Sequence, residues 1–483
     1  MPNTHFIGIG GAGMSGLAEI LLERKMQVSG SDLAESEKTK ELRKLGAKIF
    51  IGHKAENISK DTDLVIYTSA IKSGKNIEFE EAQNRGIRTI RRADYLGELT
   101  KDHKLIAIAG THGKTTTTAM IAHILLQAGL DPFVSVGAMV RELGMKNARA
   151  GDGHLAVVEA DEYDKSFLAL SPFIAVLTTL ETEHLDIYKD LADIQDTFIS
   201  FANHSAQPAE QGFAIVNIDE QSLREILGRL NKRIVTFGIK SLEAKYRASE
   251  IHADGLGTEC IIHRGGDALG ALTLQIPGEH NIKNALAAIA VSEVLAIPFE
   301  IARNALATFV GAERRSQIIG EANGILVIDD YAHHPTEVRA TLTALRSGYP
   351  GRRIVAAFQP HTFTRTRDFA KEFGQVFSEY ADVLQLLDVY PAREQPIEGV
   401  SSELILNAAR EAGMEQSSII GSLEQLPEEM TRIAKKGDIL ITLGAGTITE
   451  AAPRILNVIK GLGSVSHNGR VLNGGVRYRE KIA

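Results

Sequence analysis

Seven consecutive residues, Gly110-Thr111-His112-Gly113-Lys114-Thr115-Thr116, combine two glycines, a lysine and adjacent hydroxyls at a spacing that suits a polyphosphate. The apolar run Leu105–Ala109 reads as a buried strand, and the residues after Lys114 read as a helix. Glycines at such a junction let backbone N–H groups approach phosphate at the positive end of the helix dipole. Lys114 would neutralise the β and γ oxygens of ATP, and the Thr115 hydroxyl would hold Mg²⁺. The strict GxxxxGK[ST] pattern is not met, because Ile108 stands where its first glycine belongs. The loop is therefore a shortened variant, and the bland alternative is a Gly-rich turn with an accidental Lys-Thr-Thr.

Gly8-Ile9-Gly10-Gly11-Ala12-Gly13 satisfies GxGxxG directly after the first apolar strand, and Asp32 lies 19 residues beyond Gly13. By itself this pattern points to a nicotinamide-dependent dehydrogenase, with Asp32 on a ribose hydroxyl. The same loop geometry binds any pyrophosphate, that of a nucleotide sugar included. Both possibilities stay open on these residues alone.

Acidic groups crowd two further strand ends. Val157 and Val158 run into Glu159, Asp161 and Glu162, and the strand from Phe173 runs into Glu181, Glu183, His184 and Asp186. Carboxylates placed this way can supply hard ligands to a nucleotide's Mg²⁺ or be simply solvated. His280 and Asn284 are four apart at the start of a helix, where they could read an adenine ring, whereas Asn281 could merely cap that helix. Arg314 and Arg315 could clamp a γ-phosphate when a following domain closes, or be an ordinary surface pair. Asp329-Asp330-Tyr331-Ala332-His333-His334 ends another apolar strand. Adjacent histidines on a strand end point apart, so hydrogen bonding to ligands suits them better than a shared metal. Gln359-Pro360-His361-Thr362-Phe363-Thr364-Arg365 is a basic, hydroxyl-rich loop suited to a carboxylate or acyl phosphate.

These groups need a framework that brings strand ends together. Strand-then-helix openings at His5–Gly10, Leu105–Gly110 and Ile325–Asp330 predict three α/β domains built on mainly parallel sheets. The expected bounds are 1–103, 104–312 and 313–460, with a mobile Gly/Ser/Asn-rich tail at 461–483. Residues 246–276 alternate more strongly and predict an antiparallel flap ahead of a helix at 280–296. A chain of 483 residues with 44% apolar and 24% charged residues can build such cores. The net charge of −8 argues against general affinity for nucleic acid or anionic membrane, so anion binding must be local. Cys260 is the single cysteine and reads as a packing residue, and no run of about 18 apolar residues occurs. A cytoplasmic enzyme without membrane insertion, monomeric or a weak homodimer, is expected.

Taken in order, GIGGAGM, GTHGKTT, EADEYDKSF, TEHLD, PGEHNIKN, ERR, DDYAHHPTEV and QPHTFTRTRD resemble the motif series of the Mur ligase family from about residue 5 to about 450. The resemblance is strongest to its alanine-adding branch. It implies a Rossmann-like N-terminal domain for UDP-N-acetylmuramate, a central P-loop ATPase domain, and a Rossmann-like C-terminal domain that brings L-alanine. Carried over by motif, Gly10, Gly11, Gly13 and Met14 would approach the uridine nucleotide's phosphates, with Ser69 and Arg91-Arg92-Ala93 near the same substrate. Lys114 and Thr115 fall at the phosphate and Mg²⁺ positions, Glu159 and His184 at metal positions, and His280 and Asn284 at adenine contacts. Arg315 matches the γ-phosphate arginine and Asp330 the ATP ribose position. His334, His361 and Arg365 would face the muramoyl carboxylate and the amino acid.

Two departures stand out. Leu191–Phe201 has no lysine where several relatives carry a carbamylated one, and Thr362 stands where some members have arginine. Within the family a tripeptide-attaching ligase shares many of these motifs. Outside it, the dehydrogenase leaves GTHGKTT idle, and a nucleotide-sensing protein would bind ATP without turnover.

Overall fold

The computed structural model describes residues 3–68, 71, 76–182, 187–204, 211–392 and 394–465. Among them are three sheets, each with a parallel core. The first comprises β1 (Thr4–Ile7), β2 (Val28–Asp32), β3 (Lys48–Ile51), β4 (Leu64–Tyr67) and β5 (Arg88–Arg91), in the order β3-β2-β1-β4-β5 with every pair parallel. All four residues of β1 are buried because helices cover both faces. Phe6 faces a core with Leu17 and Leu21, and Ile7 faces a separate one with Val65 and Phe79.

The second sheet holds β6 (Lys104–Ala109), β7 (Phe133–Val140), β8 (Lys146–Arg149), β9 (Leu155–Glu159), β10 (Ile174–Leu177), β11 (Phe213–Asn217) and β12 (Arg233–Gly238). It continues into β13 (Tyr246–Asp254), β14 (Gly257–Arg264) and β15 (Asp267–Leu274). The order is β15-β14-β13-β12-β11-β10-β6-β9-β7-β8. From β6 the chain passes to one side, returns, and then builds outward from β10. The winding therefore reverses between β6 and β10, where an open α/β sheet forms its ligand crevice at the carboxyl ends of the strands. The antiparallel meander β13–β15 is the expected flap, followed by the helix Glu279–Val294. Cys260 lies in β14 at 3% exposure, as a packing residue should.

The third sheet contains β16 (Gln317–Ala322), β17 (Ile325–Asp330), β18 (Ile354–Phe358), β19 (Val383–Leu386), β20 (Ser417–Ile419) and β21 (Ile439–Leu443), in the order β16-β17-β21-β18-β19-β20. Only β16 is antiparallel to its neighbour. The sequence pattern missed β16, whose half-exposed residues form no apolar run. Insertion of β21 between β17 and β18 places Leu443 in register with both Asp330 and Phe358. Three loops therefore leave the sheet side by side. The last helix, Ala451–Val465, runs past the expected end near Lys460, and residues 466–483 of the expected tail lie outside the described residues.

The chain divides into two compact units, Met1–Glu313 and Arg314–Ala483. The first unit contains two sheets joined by direct contacts. Asn147 Nδ2 donates to the Ala12 carbonyl at 2.9 Å, Lys146 pairs with Glu23 at 2.7 Å, and Gly97 packs where a Cβ would lie 2.3 Å from the Ala169 carbonyl oxygen.

Candidate active site

The phosphate loop is shaped by two positive-φ glycines, Gly110 (φ +148°) and Gly113 (φ +85°). A side chain at Gly110 would meet Thr178 Oγ1 at 2.1 Å, and one at Gly113 would meet Asn284 Oδ1 at 2.6 Å. Neither position tolerates a Cβ. The β10 end clamps the loop, since Thr111 N–H donates to the Thr179 carbonyl at 3.1 Å and His112 N–H to Thr179 Oγ1 at 2.7 Å. Gly113 caps the helix Lys114–Gln127 with no side-chain acceptor, so the first-turn amides face the loop's concavity, ready for an anion.

Lys114 Nζ donates to the carbonyls of Gly110 (2.6 Å) and Thr111 (3.2 Å) and pairs with Glu162 Oε1 at 2.8 Å. Burial alone would push its ammonium pKa down, but Glu162 and Asp161 outweigh that and hold it above the ordinary value. Lys114 is therefore fully charged. Thr115 Oγ1 donates to Glu159 Oε1 at 3.0 Å, and Glu159 Oε2 accepts from Gly137 N–H at 2.6 Å. This hydroxyl and carboxylate are hard oxygen donors held within bonding distance of each other, and they fit a small divalent cation. Thr116 is buried in the same first turn. The sequence marks Glu162 as one of three acidic residues after β9, and the fold sets it on Lys114.

His280 and Asn284 diverge from the expected shared role. Asn284 is buried, accepting from Thr117 Oγ1 at 3.1 Å and donating to Asn281 Oδ1 at 3.1 Å, so it supports the floor of the phosphate loop. His280 stays half-buried in the first helical turn. Asn281 does not cap that helix, because its amide donates to the Pro277 carbonyl at 2.7 Å and Gly278 holds the N-cap position. His184 and Ser69, expected at the metal and the UDP-sugar, lie outside the described residues.

In the first sheet, Gly8 and Ile9 amides donate to the Ser31 carbonyl at 2.9 and 3.0 Å, and Gly10 N–H donates to Asp32 Oδ2 at 2.8 Å. Asp32 thus ties the loop to β2, beyond the ribose contact expected of it. Gly11 caps the helix Ala12–Glu23 without a side-chain acceptor. Gly13 is overlain by Arg92, whose Nη1 would sit 2.8 Å from a Cβ there. Arg92 also lines a small cleft with Glu159, Asp161 and Ser166, so the first sheet's domain reaches the acidic end of β9. Of Met14, expected with these glycines near the phosphates, the side chain is turned away from the loop. It is 2% exposed and packs with Phe6 and Leu17.

Sequence reasoning missed the group beneath this loop. Glu78 is fully buried and accepts from Ser31 Oγ, from Asn57 Nδ2 at 2.5 Å and from Lys54 N–H at 3.3 Å, with His53 Nδ1 at 3.1 Å and His5 Nε2 at 3.7 Å. Burial would raise its pKa, but the His5 imidazole 3.7 Å away and the hydrogen bonds from Ser31 and Asn57 dominate and hold it at about 2. No local signal marks Glu78, since its partners come from three separate segments, at His5, Ser31 and 53–57.

In the second unit the loops after β17, β18 and β21 converge. Tyr331 meets His333 edge-on at 5.1 Å, His333 meets His361 at 5.5 Å, and His361 stacks on Tyr390 at 5.8 Å. The structure brings His333, which was not singled out for the ligand, against His361. His334 instead caps the helix Pro335–Gly348 and packs on Phe369 at 4.8 Å. Arg365 Nη1 reaches His361 Nδ1 at 3.2 Å. Burial, with His333, Arg365 and Arg314 nearby, pushes His361 down to about 3, so its imidazole is neutral at working pH. Arg315 lies 3.9 Å from Glu337 Oε1 and over the Tyr331 ring at 5.2 Å. Asp330 is 4% exposed and its two carboxylate oxygens accept bonds from Ser316 and Ala332, contacts additional to the ribose role expected of it.

Comparison with known proteins agrees with this geometry. The Mur ligase family catalytic domain matches residues 3–104, the Mur ligase middle domain 108–292, and the Mur ligase glutamate ligase domain 314–446. A UDP-N-acetylmuramate–L-alanine ligase of Geobacter sp. (strain M21) is 45% identical over 460 residues, covering 95% of this chain and 98% of the relative. The protein of the same name from Trichlorobacter lovleyi is 47% identical over 457 residues, covering 94% and 98%. The crystal structure of the UDP-N-acetylmuramate–alanine ligase of Thermotoga maritima superposes with a TM-score of 0.81 at 28% identity, covering 96% of this chain and 100% of that one. A murein peptide ligase from Psychrobacter arcticus gives a TM-score of 0.69 at 26% identity, covering 95% and 99%. With every sheet and nearly its whole length matched, the chain belongs to the Mur ligase family.

Proposed function

We propose that the chain joins L-alanine to the lactyl carboxylate of UDP-N-acetylmuramate, converting ATP to ADP and phosphate during synthesis of the peptidoglycan precursor. The observation that carries this reading is the charged Lys114 held in the phosphate loop beside Thr115 and Glu159, in a chain about 45% identical to alanine-adding relatives along its length. A carboxylate oxygen attacks the γ-phosphorus in line, the bond to the bridging oxygen breaks, and ADP leaves. The free amine of L-alanine then attacks the acyl carbon, and phosphate departs from the tetrahedral intermediate. No covalent enzyme nucleophile takes part, so the residues supply positioning and charge.

Gly110, Thr111, His112, Gly113, Lys114, Thr115 and Thr116 cradle the triphosphate, Asn284 supports that loop from beneath, His280 serves the adenine, and Arg315 neutralises charge on the γ-phosphate. Thr115, Glu159 and His184 would hold Mg²⁺, which when bound shields the β and γ oxygens. Gly10, Gly11, Gly13, Asp32, Ser69 and Arg92 bind the UDP-sugar. His361 and Arg365, with His333 and His334 beside them, receive the carboxylates of the muramoyl group and the amino acid. The working domains are 1–103, 104–312 and 313–460, in a cytoplasmic monomer or weak homodimer. Among the described residues no helix is long and apolar enough to cross a membrane.

The test is ADP release with UDP-N-acetylmuramate and one amine at a time. L-Alanine should drive turnover, and the tripeptide carried by the murein peptide ligases should not. Turnover with the tripeptide alone would move the chain to that branch, and NAD(P)H binding without ADP release would restore the dehydrogenase.

A further inference from the structure

Arg315 sits between two non-glycine residues in the left-handed region, Arg314 (φ +58°) and Ser316 (φ +48°). L-residues rarely adopt that conformation, and a pair flanking one side chain persists only where the surroundings enforce it. On the Arg314 side, the guanidinium donates to the Gly444 carbonyl and to that of Gly446 at 3.3 Å, and lies 4.8 Å over the Tyr331 ring. The Arg314 carbonyl accepts from Tyr331 N–H at 2.7 Å, and its own N–H donates to Gln317 Oε1 at 2.9 Å. On the Ser316 side the restraint is one carboxylate. Asp330 Oδ2 accepts from Ser316 N–H at 2.7 Å and from Ser316 Oγ at 3.1 Å, and Oδ1 accepts from Ala332 N–H at 2.7 Å.

Among the described residues Arg315 itself approaches Glu337 at 3.9 Å and makes a cation–π contact with Tyr331. Its guanidinium is aimed by its neighbours' backbone. Asp330 ends β17 with Leu443 of β21 opposite it, so it is a rigid anchor for that turn.

We infer that Asp330 is a positioning residue for Arg315, holding the Arg314–Ser316 turn through Ser316 so that the guanidinium is presented to the γ-phosphate. This rests on the proposed role of Arg315. A carboxylate that merely touched the ribose would serve ATP and ADP alike, whereas one that aims Arg315 matters only when a γ-phosphate is present. Burial raises the Asp330 carboxyl pKa, opposed by Arg315 and by the hydrogen bonds from Ala332 and Ser316.

The experiment measures dissociation constants of the full chain for ADP and for a non-hydrolysable ATP analogue, together with kcat, in Arg315→Ala, Asp330→Asn and Ser316→Ala. Loss of a hydrogen bond to a charged group predicts that Asp330→Asn weakens the analogue about tenfold while ADP affinity stays within about twofold, as in Arg315→Ala. Ser316→Ala keeps its N–H and folds without removing the anchor, so it should shift the same ratio about threefold. Equal weakening of ADP and analogue in Asp330→Asn, or no change in their ratio in either turn variant, overturns the inference. If Arg315→Ala itself leaves the ratio unchanged, the assignment of Arg315 falls first and the inference with it.

Discussion

The phosphate loop and the histidine–arginine cluster of the second unit solve the same problem, holding charged ligand groups at parallel strand ends, by opposite means. In the phosphate loop the chemistry is contiguous, and its two left-handed positions are glycines. In the second unit the groups come from three loops, and beside Gly444 the left-handed positions there include three non-glycine residues, Arg314, Ser316 and Thr362 (φ +69°). A glycine loop adopts its shape at little cost and can be read locally. A turn forced onto arginine, serine and threonine keeps its shape only while Asp330, Gly444 and Tyr390 hold it. Damage at a distance should therefore reach the second site more readily than the first.

The largest effect is expected at the phosphate loop. Lys114→Ala should lower kcat by roughly three or more orders of magnitude, because the charge it supplies counts most in the transition state. UDP-sugar affinity, measured by calorimetry, should stay within about threefold. Near-normal phosphate release in that variant would sink the assignment of the loop.

Glu78→Gln comes next and reads out in stability. A folded pKa of about 2 against an ordinary 4.5 means stabilisation present above the unfolded pKa and lost as pH falls through that window. The pairing is worth on the order of 3 kcal/mol at neutral pH. Denaturant unfolding of the native chain should weaken steeply from about pH 5 to 3, and Glu78→Gln should flatten that limb. Identical acid limbs in both proteins would show that the group carries no such linkage.

At the second site, His361→Ala should raise KM for L-alanine by about ten- to hundredfold with a smaller change in kcat, as when a hydrogen bond made equally in ground and transition states is lost. Because burial and neighbouring cations hold His361 at about 3, its protonation should leave no inflection in the alanine kcat/KM profile between about pH 5 and 8. An inflection there that disappears in His361→Ala would contradict the neutral imidazole. The smallest effect belongs to Asn284→Ala, which removes the amide under Gly113. It should cost roughly 1–3 kcal/mol of stability and raise KM for ATP, testing whether the local loop leans on its surroundings after all.

Much of the molecule was legible beforehand, for reasons that differ by region. The strands β1, β6 and β17 are short apolar runs followed by glycine or acid and then helical periodicity, so three α/β layers and the phosphate loop follow from local chemistry. The flap β13–β15 shows alternation because one of its faces meets solvent. β16 left no such trace, being half-exposed on an edge. Met14 looked like part of the glycine loop because adjacency in sequence does not reveal which way a helical side chain points. His333 and His334 could not be told apart by spacing, since the choice depends on which one meets the loop after β18 and which one caps a helix.

The sequence by itself determined what is covalently local: the Gly-rich loop, the lysine and threonines that open its helix, and the acids that end β9. Only the tertiary structure decided the partners, placing Glu162 on Lys114, Glu78 under Ser31, and Asp330 on the turn that carries Arg315. Those pairings join segments from 14 to 48 residues apart. Their carboxylates stay buried because strand order brings the donors to them, and strand order is set by the packing of whole sheets.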